Sequence, residues 1–134
     1  EAVMAVRNSI SSGHYILSTI HSDKASSIPS RMYSLLETNQ DIEQFLKSIH
    51  RYVQLGVHIR GRQDKATKKF KREIAEVTEF FVENNEAGYN TIYKKTQEGV
   101  ITKNKPSKYL IDYLDGQGIV LPDIIVDNVE ELTV

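Results

Sequence analysis

A short, nearly continuous apolar run, residues 15–20, lies between Gly13 and the polar stretch 21–24. Runs of this kind are typical of strands that are buried on both faces of a parallel sheet. An amphipathic helical pattern over residues 2–12 precedes the run, and two further helical patterns begin near Ile28 and Asp41. This order of helix, buried strand and helices predicts an α/β fold with a parallel sheet.

The second half of the chain changes its period. Residues 53–60 alternate apolar and polar side chains, which predicts a half-buried strand, and residues 61–69 read as a basic, polar turn. The segment 70–82 fits either a helix, by its apolar stripe, or a strand, by its β-branched and aromatic residues. The other predicted elements are a loop at 84–88, a strand at 89–94, a helix opened by Pro106 and an extended acidic tail after Leu121.

Composition narrows the class of protein. A chain of 134 residues has room for one domain, or for a piece of a larger one. It has no cysteine, which excludes disulfides and Cys-ligated zinc, and no run of 18 apolar residues that would span a membrane. Its first residues do not form a signal peptide, and its net charge of −1 does not indicate a nucleic-acid binder. We therefore expect a soluble protein.

Two histidines flank the predicted buried strand. His14 precedes it and His21 follows it, and ligands of open α/β sheets bind at the carboxyl ends of the strands. Thr19, His21 and Ser22 are therefore predicted to meet a polar ligand, whereas His14 lies at the opposite end. An imidazole there can donate to a phosphate oxygen or orient a water molecule. A histidine beside a strand is more often an ordinary surface residue, so position alone assigns no role.

Two other groups of residues are candidates for binding. The basic cluster within residues 65–72 contacts phosphate backbones in one interpretation and is a solvated hairpin in the other. We favour the solvated hairpin and expect no direct nucleic-acid binding, because only Phe70 interleaves the cluster. His50 and His58 follow acidic residues, but their spacing matches no helical pair of metal ligands, so no metal site is predicted.

The residues around the apolar run also resemble a known family. Gly13-His14, then Leu17-Ser18-Thr19-Ile20-His21-Ser22, and Arg31 ten positions later resemble the histidine box of type II and type IV secretion ATPases. The similarity is greatest to tight-adherence pilus ATPases and conjugative transfer ATPases. Weaker similarity covers residues 53–60, 73–77 and 106–119.

This resemblance implies a fold. The chain would be the C-terminal portion of a RecA-like P-loop ATPase domain, with a parallel sheet and flanking helices, plus a small C-terminal lobe. Residues 1–60 would hold the ATPase core with the histidine box, and residues 61–134 the hairpin and helix lobe. The resemblance also makes 70–82 a strand. The chain departs from the family at Arg60-Gly61-Arg62-Gln63-Asp64, where its basic hairpin is longer, so Arg60 and Arg62 receive no role.

The resemblance also implies functional residues. His21 would sense or position the γ-phosphate, and Arg31 would lie near the nucleotide or a subunit interface, unless it is only a solvated helix residue. We count both as catalytic candidates. His14 would be a structural or coupling residue, and Thr19 and Ser22 would contact the nucleotide.

The whole motor implied by the resemblance is a homo-hexamer that hydrolyses ATP with Mg²⁺. It would power secretion, pilus assembly or conjugative transfer from the cytoplasm, peripheral to the membrane and bound to inner-membrane machinery. The Walker A loop, the Walker B glutamate and the N-terminal domain that holds the hexamer would lie upstream of this chain. Alone, the chain is expected to be inactive. The alternative is a non-catalytic interaction module that docks on a partner of the secretion machine.

Overall fold

The computed structural model of the chain describes residues 2–36 and 41–122. A short 3₁₀ turn, Ala25–Ser27, precedes the second helix. The helices are α1 (Ala2–Ser11), α2 (Ile28–Ser34), α3 (Ile42–Tyr52) and α4 (Lys108–Gly116). The strands are β1 (Leu55–Gln63), β2 (Phe70–Glu83), β3 (Glu86–Lys95) and β4 (Ile101–Lys103).

The strands in the described residues form one antiparallel sheet in the order β1-β2-β3-β4. Each strand pairs with the next along the chain, so every connection is local. The turn between β2 and β3 is Asn84-Asn85, with φ values of 51° and 62°, and Glu83 pairs directly with Glu86. A two-residue hairpin turn of type I′ needs positive φ at both positions, and Asn tolerates that conformation better than most residues.

The prediction of a parallel, RecA-like sheet is wrong. Residues 14–22 form no strand, and most of the apolar run is exposed: Tyr15 is 85% and Leu17 is 99% accessible to solvent, whereas Ile20, its last residue, is half-buried against the core. A buried parallel strand needs backbone partners at its sides and a layer on each face. The sheet instead forms through local hairpins between residues 55 and 103, and no strand of it lies beside the run.

The ambiguous segment 70–82 is a strand, as the resemblance implied, and not a helix. It lies at the centre of the sheet, where β2 pairs with β1 on one side and β3 on the other. Ladder bonds on both edges outweigh the helical stripe in its sequence.

The predicted helices and the strands at 53–60 and 89–94 are confirmed as elements, with their ends shifted by a few residues. The predicted loop 84–88 is wrong beyond the turn Asn84-Asn85, because β3 begins at Glu86. The alternation in 53–60 predicts burial of its apolar side, but Leu55, Val57 and Ile59 are exposed.

Met32, Phe45 and Ile49 form the centre of a core that lies among the helices, packed with residues of α1, α2 and α3. Helix α3 also packs against β2 and β3, on the face of the sheet that we call the inner face. Phe80 on β2 is also buried, and its ring meets the edge of the His50 ring, with centroids 5.2 Å apart. Capping defines where two helices begin, because the Asp41 carboxylate accepts the Glu43 N–H and the Ser107 hydroxyl accepts the Leu110 N–H.

Parts of the sequence predictions remain open. The acidic tail falls on residues 123–134, which lie outside the described residues, as does Glu1. The sequence predicts a boundary between two domains after residue 60. Strand β1 runs through that residue, and the division into two domains stays a prediction.

Candidate anion-binding site

Arg31 and His21 are joined directly. His21 lies in the extended segment between α1 and the 3₁₀ turn, and Arg31 lies on α2. The Arg31 Nε donates to the His21 carbonyl at 3.1 Å, and one Nη donates to the Ser34 hydroxyl at 3.4 Å. Arg31 has five N–H donors in a planar fork, and these two bonds use two of them. The guanidinium is thus oriented and still has donors for a ligand.

A shallow, open depression of about 570 Å³ surrounds this pair. Its lining consists of one guanidinium, one imidazole, one carboxylate and four hydroxyls: Arg31, His21, Asp23, Ser22, Ser27, Ser30 and Ser34. We call it the Arg31 depression. Guanidinium, imidazole and hydroxyl groups are the side chains that bind phosphate oxygens, whereas Asp23 opposes an anion. The arrangement suits a small anion such as a phosphate group, held at an exposed surface.

The structure brings three of the five predicted site residues together. His21, Ser22 and Arg31 line the Arg31 depression, whereas His14 lines a second depression of about 450 Å³. His14 Nδ1 lies 2.9 Å from the Ser12 hydroxyl there. Thr19 is exposed and lines neither depression. The two histidines therefore do not meet the same ligand in this arrangement, and the catalytic and coupling roles stay predictions.

Sequence reasoning missed the serines of the Arg31 depression. Ser27, Ser30 and Ser34 follow the helical spacing i, i+3 and i+7, so they share one face of the α2 region with Arg31. The sequence alone shows this spacing. Glu76 was also missed: its buried carboxylate accepts the Ala25 N–H at 2.9 Å and ties the end of the His21 segment to β2. No sequence pattern marks that contact, because the two residues are 51 positions apart.

The implied cofactors fit this chain only in part. Its described residues contain no group of three or more His, Asp or Glu side chains that could hold a metal ion. Every residue that lines the Arg31 depression is polar or charged, so no Val, Leu, Ile, Phe or Tyr side chain is there to pack against a nucleobase. A phosphate group fits the donor set, and the rest of a Mg-ATP complex would have to be held by other residues.

His50 and His58, the two histidines considered as metal ligands, have neighbours within the fold. His50 is buried, its Nδ1 lies 2.8 Å from the Gly88 carbonyl, and burial lowers the pKa of its imidazole below the usual range. His58 stands opposite Glu76 in the β1–β2 pairing. His50 therefore links α3 to the β2–β3 hairpin.

Arg60 also has partners within the sheet. Its Nη2 lies 2.7 Å from Glu73 Oε1, and Lys95 Nζ lies 2.8 Å from Glu73 Oε2. Hydrogen bonds from Lys95 and Arg60 lower the pKa of Glu73 from 4.5 to about 2. This triad joins β1, β2 and β3, which accounts for Arg60 without a ligand.

Comparison of the chain with models of known protein families finds no match, and comparison with curated proteins finds none either. The helices within 2–36 and 41–122 are all too short or too polar to cross a bilayer.

Proposed function

We propose that this chain is the sensor and coupling part of a Mg-ATP-hydrolysing motor that powers secretion, pilus assembly or conjugative transfer. The support is the histidine-box pattern together with the contact between its two catalytic candidates. Arg31 and His21 are ten residues apart in sequence, and the Arg31 Nε binds the His21 carbonyl at 3.1 Å. This contact carries the proposal. The contact itself does not depend on a parallel sheet.

Sensing would work through the hydrogen bond between Arg31 and the His21 carbonyl. A γ-phosphate placed in the Arg31 depression would draw on the remaining guanidinium donors and on the hydroxyls around it. Loss of that phosphate would release Arg31, and the segment bearing His21 is bonded to Arg31. The other end of that segment is fixed to β2 through the Ala25–Glu76 bond. A change at the phosphate would thus be passed to the sheet.

The rest of the motor would be supplied outside this chain. The sequence holds no glycine followed by Lys-Ser or Lys-Thr, so the phosphate-binding loop would lie elsewhere, with Mg²⁺ held there. The motor would be a cytoplasmic homo-hexamer, peripheral to the membrane through inner-membrane secretion or pilus machinery. The chain by itself would not hydrolyse ATP.

A second function is favoured by one observation. The extended segment 14–20 exposes Tyr15 and Leu17 almost fully, and exposed apolar groups in a row are typical of a protein–protein contact. The chain would then be a non-catalytic interaction module that docks on a partner of the secretion machine. The coding sequence upstream separates the two functions: a Gly-x-x-x-x-Gly-Lys-Ser/Thr loop and an acidic strand end would support the motor.

The motor is tested by two matched variants in the protein that carries the loop. His21→Ala is expected to lower ATP turnover by about tenfold or more, because one phosphate contact is lost. His14→Ala is the control, since it removes the same side chain from the same segment but outside the Arg31 depression. Both residues are exposed, so the melting temperature should stay unchanged. Equal turnover of His21→Ala and wild type would exclude the sensor role.

A further inference from the structure

The β1–β2 hairpin carries an exposed apolar surface on the side of the sheet away from the core. Directly opposite residues share a face, and on this face Val57 pairs with Val77, Ile59 with Ile74 and Gln63 with Phe70. The exposed fractions of its large side chains are 46% for Leu55 and Val57, 59% for Ile59, 64% for Phe70 and 48% for Ile74. We call these five residues the ribbon face.

The exposed large apolar side chains of the hairpin lie on this face. On the inner face of the same strands, Gly56 lies against the 3₁₀ turn and Thr78 and Phe80 are buried. At the far end of the outer face, Glu79 Oε1 accepts the Ser107 N–H at 2.8 Å, so the start of α4 lies there. Among the outer-face residues of the hairpin, those of the ribbon face are the exposed large apolar ones, at 46% to 64%.

Positively charged residues are concentrated at the tip of the hairpin, beside the ribbon face. Residues 60–72 contain seven Lys or Arg residues and one acidic residue, Asp64, in a chain whose net charge is −1. Two of the seven have a carboxylate partner among the described residues: Arg60 with Glu73, and Lys71 with Asp64 at 3.4 Å. Arg72 lies over the Phe70 ring, 5.6 Å from its centroid. The tip of the hairpin, residues 60–72, is thus strongly basic, and of its cations Arg60, Arg62 and Lys71 lie on the face opposite to the ribbon face.

We propose that the ribbon face binds the surface of an anionic lipid membrane. Its aliphatic side chains and Phe70 would enter the boundary between headgroups and acyl chains, and the flanking cations would lie near the lipid phosphates. This contact goes beyond the proposed function, which attaches the motor to the membrane only through other proteins, and it does not rest on that function.

The side chains of the ribbon face favour a lipid membrane over two other partners, which are a single-stranded nucleic acid and a second copy of the chain. Single-stranded nucleic acid is held by stacking of bases on aromatic rings, and four of the five ribbon-face residues are aliphatic. A second copy of the chain would bring two basic hairpin tips together, and like charges repel. An anionic bilayer accepts both the aliphatic groups and the cations.

The test is co-sedimentation of the full chain with vesicles of phosphatidylcholine, alone or with about one-third phosphatidylglycerol. Binding is expected with the anionic vesicles, reduced by high salt, and absent with phosphatidylcholine alone. The triple variant Lys65→Gln, Lys68→Gln, Lys69→Gln should bind roughly 100-fold more weakly, at about fivefold for each charge. Lys24→Gln, Lys103→Gln, Lys105→Gln is the matched control, because it removes three exposed charges elsewhere and should bind within about twofold of wild type.

A second pair of variants tests the apolar part. Ile59→Ser and Phe70→Ser should each weaken binding to anionic vesicles by about tenfold, because an apolar group is withdrawn from the bilayer boundary. Val120→Ser is the control, since Val120 is more exposed, at 83%, but lies outside the hairpin. All sites are exposed, so circular dichroism should show unchanged folding.

Three outcomes would overturn the proposal. The first is failure to bind anionic vesicles, whether or not a labelled single-stranded oligonucleotide binds in their place. The second is equal weakening by the ribbon variants and their controls. The third is a dimer in light scattering that Ile59→Ser dissociates, because the ribbon face would then be an interface between copies.

Discussion

The Glu76 carboxylate accepts a hydrogen bond from the Ala25 N–H at 2.9 Å, and both residues are buried. Ala25 begins the 3₁₀ turn that follows the His21 segment, and Glu76 lies in the central strand β2. The other carboxylate oxygen of Glu76 is within reach of the Thr78 and Thr91 hydroxyls, at 3.3 and 3.4 Å. One buried side chain therefore attaches the N-terminal segment to the sheet.

Glu76→Ala should lower the free energy of unfolding by about 2 kcal/mol, because it leaves the buried Ala25 N–H without its acceptor. Urea unfolding measures this change. Glu83→Ala, at the exposed end of the same strand, is the control and should change stability by less than about 0.5 kcal/mol. Equal stability of the two variants would mean that the Ala25–Glu76 bond does not hold the segment.

Glu73 gives the protein a component of acid sensitivity. Lys95 and Arg60 lower its folded pKa from 4.5 to about 2, so its stabilising effect is complete above pH 4.5. The effect is lost as the pH falls through the folded value of about 2. Thermal unfolding followed between these two pH values should show a smaller decline in Glu73→Gln than in wild type. Glu83→Gln, the control, should decline as wild type does.

Gly56 lies where β1 meets the 3₁₀ turn. A Cβ there would be 2.7 Å from Ile28 Cδ1, 3.0 Å from the Phe80 ring and 3.3 Å from the Ala25 carbonyl. Ile28 can shift, but the buried ring and the backbone have little room. Gly56→Ala should therefore destabilise the fold by about 1–3 kcal/mol.

The control for Gly56→Ala is Gly116→Ala at the end of α4, where a Cβ meets no atom within 4 Å. That change should be neutral or stabilising by up to about 1 kcal/mol, because Ala favours helices. Chemical denaturation of both variants compares them directly. A neutral Gly56→Ala would show that the strand and the turn are not in close contact.

Mg-ATP should bind this chain with a dissociation constant no tighter than about 1 mM, close to −4 kcal/mol. The Arg31 depression offers a phosphate a guanidinium, an imidazole and hydroxyls, but no loop of backbone N–H groups that surrounds it. Each missing charge-assisted hydrogen bond removes roughly 1.5–3 kcal/mol. Isothermal titration measures the constant. A micromolar value would show a complete nucleotide site and contradict the proposal that other residues supply it.

Local patterns predicted most of the elements, because they depend on neighbours within a few residues. The apolar stripe with Phe45 and Ile49 indicated α3, and the alternation from Val53 to Arg60 indicated β1. The Arg31–His21 pairing came from the histidine-box resemblance, and its contact required the turn between them. The serines beside Arg31 could have been found by their helical spacing, whereas Glu76 could not.

By itself the sequence determined where the helices and the strands β1 and β3 lie, since hydrophobic period and capping residues such as Asp41 and Ser107 act locally. Only the tertiary structure decided which strands pair. The run 15–20 has the side chains of a buried strand, yet burial needs neighbouring strands and covering layers that residues far away must provide. In this chain the local hairpins between residues 55 and 103 complete the sheet through short loops. Short loops cost little entropy to close, so the antiparallel sheet forms and most of the apolar run stays exposed.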